Sequence, residues 1–204
     1  MQPDQAHVGA ARSLGLPGID FAPAGDADSD NQNTPPDLLT MVHELYGSID
    51  TDPSWSRDSF VTAALTYDGS SPEQDGLAQP WDGKVWVNPP YSNPTPWADR
   101  CARHATAYHN TQVLLLVNVS MSVAWFNRWR PRRETPRSWL VWRADCASRQ
   151  SPVRAAAVAF FNNRIGFYKN GVQRKGNDRE QMLLYWGAHA KEFARIFGRC
   201  AWVP

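Results

Sequence analysis

Apolar residues recur at helical spacing at Leu38, Leu39, Val42 and Leu45, just after Thr34-Pro35-Pro36 and just before Gly47. The pattern predicts a helix with Thr34 as N-cap, proline in its first turn and a stop near the glycine. Ser48 to Asp52 then reads as a short strand ending in acidic residues, and Asp58 to Tyr67 fits a helix or a strand equally well. The Ser-Ser-Pro-Glu-Gln-Asp-Gly stretch at 70–76 is loop. Lys84 to Val87 is a short apolar strand, residues 95 to 109 are helical behind Pro94, and Thr111 to Val119 is apolar enough to be a strand buried on both faces. Ala124 to Trp129 reads as a short helix. Ala155 to Phe161 and Arg164 to Tyr168 flank Asn162-Asn163, a two-residue hairpin signal; Met182 to Trp186 adds a strand and Ala188 to Phe197 a last helix. This alternation predicts an α/β fold with a mostly parallel sheet and a C-terminal hairpin. Residues 1–33, rich in Asp, Ala, Pro and Gly without a period, read as a flexible tail before one domain at 34–204.

Composition narrows the class. The 204 residues, 42% of them hydrophobic, suffice for a single core, and no apolar run approaches the ~18 residues of a membrane span. The N-terminus lacks the basic flank and apolar stretch of a secretory signal, and Cys101, Cys146 and Cys200 form an odd, scattered set without a Cys-x-x-Cys pair. A soluble, cytoplasmic protein with reduced thiols is expected. Cys101, His104 and His109 do not fall on one helical face, so no metal site is expected there.

The net charge of +1 conceals a division. Residues 1–126 carry 5 Lys and Arg against 15 Asp and Glu, whereas residues 127–204 carry 16 against 5. The basic excess is mostly arginine, dense at Arg128, Arg130, Arg132 and Arg133 and continuing at Arg137 and Arg143, with Trp129, Trp139 and Trp142 between. Arginine pairs bidentately with phosphate and with guanine edges, and indoles stack on bases, so the segment 128–154 reads as a basic insertion with the footprint of a nucleic-acid binder. A solvated basic face that balances the acidic half is the plainer alternative.

The chemistry concentrates at Asn88-Pro89-Pro90-Tyr91, directly after the strand at 84–87. The Asn88 side-chain oxygen and the Pro89 carbonyl are two acceptors beside an aromatic ring. That set suits a planar exocyclic amine such as N6 of adenine. Accepting both of its hydrogens draws the nitrogen toward tetrahedral geometry and frees its lone pair for attack on a methyl group. Neither proline has an N–H to compete, and Tyr91 is expected to stack on a base taken out of the duplex. A proline-ended strand with Tyr91 capping the core is the alternative reading.

In chain order, Thr34-Pro35-Pro36, Ile49-Asp50, Asp75-Gly76-Leu77, Trp81-Asp82-Gly83, Asn88-Pro89-Pro90-Tyr91, Leu114-Leu115-Leu116 with Trp125-Phe126, and Arg164-Ile165-Gly166-Phe167 resemble the phage-type DNA N6-adenine methyltransferase (Dam) family. The resemblance spans roughly residues 33 to 187, and its most specific block is Asn88 to Tyr91. It implies a Rossmann-like methyltransferase fold, S-adenosylmethionine as donor, double-stranded DNA as acceptor and a phage or prophage origin. It also implies catalytic roles for Asn88, Pro89, Pro90 and Tyr91, and donor contacts from Thr34, Pro35, Asp50, Asp75 and Asn88. The segment Ser48 to Ser54 departs from methyltransferases at large in lacking a glycine pair. Only 38 residues separate Asp50 from Asn88, short for two complete strand–helix units, so one element there is expected to be reduced. Two alternatives stay open: a DNA-binding protein of this fold without catalysis, and methylation of a protein glutamine amide, whose nitrogen is also planar and doubly hydrogenated.

Overall fold

The computed structural model describes residues 30, 32–108, 110–131, 154–174 and 179–204. Helix α1 (Pro36–Tyr46) leads into β1 (Ile49–Asp52), followed by β2 (Ala63–Thr66), β3 (Lys84–Val87), α2 (Thr95–Ala107), β4 (Gln112–Asn118) and α3 (Ala124–Trp129). Then come β5 (Ala157–Phe161), β6 (Tyr168–Lys169), β7 (Val172–Gln173), β8 (Gln181–Trp186), α4 (Ala190–Phe197) and β9 (Ala201–Trp202).

Seven strands form one sheet in the order β2-β1-β3-β4-β8-β5-β9. The pairs β1–β2, β1–β3 and β3–β4 are parallel, and β8 runs antiparallel to both β4 and β5. β9 is antiparallel to β5, so five of the seven strands point the same way. Alternation along β4 builds both faces of the core. Val113, Leu115 and Val117 pack toward α2 and α3, with Ala98, Cys101, Ala102, Phe126 and Trp129. Leu114 and Leu116 pack toward α1 and α4, with Leu38, Leu39, Val42, Tyr46, Phe193, Ile196 and Phe197. The result is a three-layer α/β/α arrangement, compatible with a Rossmann-like fold.

From β1 the chain steps outward to β2 and then crosses back over β1 to β3. Connections that leave a strand in opposite directions open a crevice at its carboxyl end, the place where open α/β sheets bind ligands. No helix intervenes between β1 and β2 or between β2 and β3, only loops and one short 3₁₀ turn at Pro72–Gln74. That is the reduced element anticipated from the short Asp50-to-Asn88 interval, and it resolves Asp58 to Tyr67 as loop followed by strand.

Two local expectations are corrected. Thr34 does not cap α1: Pro35 occupies the N-cap position without any side-chain cap, and the Thr34 hydroxyl is used elsewhere. Asn162-Asn163 is no hairpin turn either, because β5 pairs with β8 and β9 while Arg164 to Phe167 are irregular. The hairpin lies nearby, where β6 and β7 pair around Asn170-Gly171, with φ of 51° and 74°. Both central residues are left-handed, as a two-residue hairpin turn requires, and Asn-Gly is the pair that tolerates this best.

Candidate active site

β1 and β3 end side by side, and the chain leaving each of them is polar. β1 delivers Asp52, a residue only 3% exposed. Its Oδ1 accepts hydrogen bonds from the Ser54 backbone N–H at 3.0 Å and the Ser54 hydroxyl at 3.2 Å. The same hydroxyl oxygen accepts the backbone N–H of Asn88 at 3.0 Å. One serine therefore ties the end of β1 to the loop after β3. No cation pairs with Asp52 among the described residues, and burial, only partly offset by Ser54, pushes its carboxyl up to about 7.

The Asn88 side chain is held at both ends. Its Nδ2 donates to the Gln32 carbonyl at 2.7 Å and to the Thr34 hydroxyl at 3.3 Å, while its Oδ1 accepts the Tyr91 hydroxyl at 2.9 Å. The two donations fix which end of the amide is oxygen. A carboxamide oxygen has two lone pairs, so one remains for a further donor. Tyr91 packs its ring edge-on against Phe167, centroids 5.7 Å apart, and burial holds its phenol above the usual range, so it stays a donor.

A cavity of about 410 Å3 opens here, within the size range of small-molecule sites. Its lining includes Gln32, Asn33, Thr34, Asp52, Ser54, Asp75, Trp86, Asn88 and Pro90. Asp30 and Asp68 add acidity, and Arg57 is the cation among the lining residues. Two buried polar atoms of lining residues, Gln32 Oε1 and Trp86 Nε1, have no hydrogen-bond partner among the described residues.

The expected site residues thus separate. Thr34, Asp75, Asn88 and Pro90 line the cavity; Pro35, Pro89 and Tyr91 adjoin it without being lining residues. Asp50 does not line it: placed two residues earlier in β1, its Oδ2 accepts the Lys84 backbone N–H at 2.8 Å. Asp52, which was not among the expected donor contacts, lines the cavity at the carboxyl end of the strand instead. Gln32, Asn33 and Ser54 were missed as well. Asn33 lies within the stretch expected to be a tail, yet it is buried, exchanges backbone hydrogen bonds with Tyr168 at 2.8 and 3.0 Å, and accepts the Ser56 hydroxyl through its side chain.

Of the arginines expected to meet DNA, Arg128 is exposed, 3.6 Å from Asp99, and lies over the Trp129 ring. Arg130 is also exposed. Arg132, Arg133, Arg137 and Arg143 lie outside the described residues. Cys101 and His104 are buried, with His104 Nε2 3.0 Å from the Thr111 hydroxyl and burial pushing its ring down to about 4, while His109 lies outside the described residues.

A family profile described as DNA N-6-adenine-methyltransferase (Dam) matches residues 23–199. Two curated relatives carry the name DNA N-6-adenine-methyltransferase. One, from Haemophilus phage HP1, is 32% identical over 117 residues, 56% of this chain and 55% of the relative. The other, from Escherichia phage T1, is 29% identical over 108 residues, 52% of this chain and 42% of the relative. The chain thus spans about half the length of the curated relatives it matches, and no solved structure matches it. With the profile covering all but the two ends of the sequence, and the Asn88 loop seated at the crevice, the chain belongs to the DNA N-6-adenine-methyltransferase (Dam) family.

Proposed function

We propose that this protein takes an adenine out of duplex DNA and methylates its N6, with S-adenosylmethionine as methyl donor. The observation that carries this reading is the Asn88 carboxamide, locked in one orientation beside an acidic cavity at the switch point of the sheet.

The cavity residues fit such a donor. Its sulfonium and ammonium groups are cationic, and the wall offers Asp52 without a cation of its own, together with Asp75 and the Thr34 hydroxyl. Bound there, S-adenosylmethionine would contribute an electrophilic methyl group. Asp52 takes the place expected for Asp50.

The chain's own residues supply alignment and polarity. Asn88 Oδ1, through its second lone pair, and the Pro89 carbonyl accept the two amine hydrogens and hold the nitrogen pyramidal, so its lone pair points at the donor side. Placing two reactants in attack geometry accounts for several kcal/mol of barrier lowering, and fixed dipoles around the developing charge add to it. A carboxamide takes up no proton near neutral pH, so the surplus proton of the methylated amine passes to water. Tyr91 serves through its hydroxyl, steadying Asn88, as well as through its ring.

The test is nucleoside analysis of DNA from cells lacking their own adenine methylation. Expression of the chain should produce N6-methyladenine, and expression of Asn88→Ala at equal level should produce none. N6-methyladenine at the wild-type level from the variant would refute the mechanism. Methylated glutamine in host protein, with unmodified DNA, would favour the protein-amide reading.

A further inference from the structure

We infer that the β6–β7 hairpin is the element that reads the DNA sequence around the target, with Asn170 and Val172 meeting base edges and Lys169 and Arg174 meeting phosphates. This rests on the DNA-methyltransferase reading and names the surface that gives it specificity.

The hairpin is a two-stranded ribbon, and a two-stranded ribbon fits the major groove of B-DNA. Its tip is presented outward: Asn170, Gly171, Val172, Gln173 and Arg174 are all exposed, and Val172, at 69%, is the most exposed large hydrophobic residue described. An exposed valine on a ribbon tip has no role in the core. The side-chain chemistry of the tip matches groove edges: a carboxamide pairs with adenine N6 and N7, and an apolar side chain packs on the thymine methyl. Residues 164–179 hold five Lys and Arg against one Asp, in keeping with a polyanionic partner.

Position completes the case. The root of the ribbon is fixed to the active site from two sides. Phe167 supports the Tyr91 ring, and Tyr168 exchanges backbone hydrogen bonds with Asn33, next to the Gln32 and Thr34 groups that hold Asn88. Phe60 packs edge-on against Tyr168, ring centroids 5.1 Å apart. The tip lies three residues beyond this root, about 10 Å of extended chain, so it stands over DNA whose target base occupies the crevice. The turn is stiff because an Asn-Gly pair with both φ positive matches the strand twist.

The experiment maps methylated positions genome-wide in a host without adenine methylation, and measures DNA affinity across three salt concentrations. Asn170→Gly keeps the left-handed turn and removes the carboxamide; Val172→Thr keeps the branched shape; both should melt as wild type does. Each should relax the methylated sequence at one or more positions, with non-cognate sites gaining at least threefold in relative methylation. Lys169→Ala with Arg174→Ala should keep the sequence, lower methylation evenly and flatten the slope of log affinity against log salt by up to ~2 units. Folded variants with an unaltered sequence preference and an unaltered slope would overturn the assignment. A wild-type chain that leaves no N6-methyladenine would instead refute the methylation reading, and the salt slopes would still decide the hairpin.

Discussion

At the scale of single residues, the candidate site is a set of groups whose freedom has been removed. Asn88 meets four partners: Ser54 through its backbone N–H, Gln32 and Thr34 through Nδ2, and the Tyr91 hydroxyl through Oδ1. Sequence reading assigned Tyr91 a stacking role, for which a phenylalanine would serve. The geometry gives its hydroxyl a task too, so Tyr91→Phe should slow turnover by the worth of one buried hydrogen bond, about 0.5–1.5 kcal/mol, with Tyr91→Ala slower still. Single-turnover rates check this; wild-type rates in Tyr91→Phe would leave the ring as the whole contribution. Asp52 yields a prediction in pH. Its carboxyl sits at about 7 rather than in the ordinary carboxylate range, so at slightly acidic pH it is protonated when folded and ionised when unfolded. This contribution to stability is present at low pH and is lost as pH rises toward about 7. Binding of a cationic donor has the opposite sign. It needs the carboxylate, so donor affinity should fall about tenfold per pH unit below about 7 and level off above it. Titration calorimetry from pH 5.5 to 8.5 would show this. A flat profile in wild type, or an equal slope in Asp52→Asn, would remove Asp52 from the donor site.

At the scale of elements, what was legible followed the periodicity. β3, β4, β8, α2 and α4 were readable because apolar alternation and amphipathic spacing reflect burial directly. What misled was chemistry shared by several structures. Asn162-Asn163 and Asn170-Gly171 are both turn pairs two residues long, and strand length favoured the first because the strands beside the second are only two residues each. Thr34 before two prolines has the composition of an N-cap, but its hydroxyl accepts from Asn88, a partner 54 positions away that no local pattern reveals. Asp50 was named through the resemblance at Ile49-Asp50, although the strand was already read as ending at Asp52; which of the two carboxylates reaches the cavity depends on tertiary placement that no local pattern carries. Loops carry a prediction as well. A Cβ on Gly76 would lie 1.7 Å from the Pro53 carbonyl oxygen, on rigid backbone, so Gly76→Ala must push the loop after β1 outward. The expected cost is about 1–3 kcal/mol of stability together with loss of donor binding, because Pro53 joins Asp52 to Ser54. Denaturant melts and calorimetry test both arms, and full donor affinity in this variant would show that the loop is not coupled to the site.

At the scale of the whole molecule, the charge division acquires a geometry. The acidic N-terminal half lines the cavity with Asp30, Asp52, Asp68 and Asp75, while the basic half carries Arg128 and Arg130 at the end of α3 and the β6–β7 hairpin. A cationic donor and a polyanionic acceptor would thus meet surfaces of opposite sign within one chain, which a net charge of +1 does not disclose. If the arginines after α3 bind phosphate, replacing Arg130, Arg132 and Arg133 with Ala should flatten the slope of log DNA affinity against log salt by up to ~3 units. Affinity for the donor should stay within a factor of two, since the carboxylates that face it belong to other elements. If these arginines only balance the acidic half, the slope should hold and stability should fall instead. Binding titrations at three salt concentrations, paired with a melting curve, separate the two, and an unchanged slope would leave the hairpin as the principal basic contact to DNA.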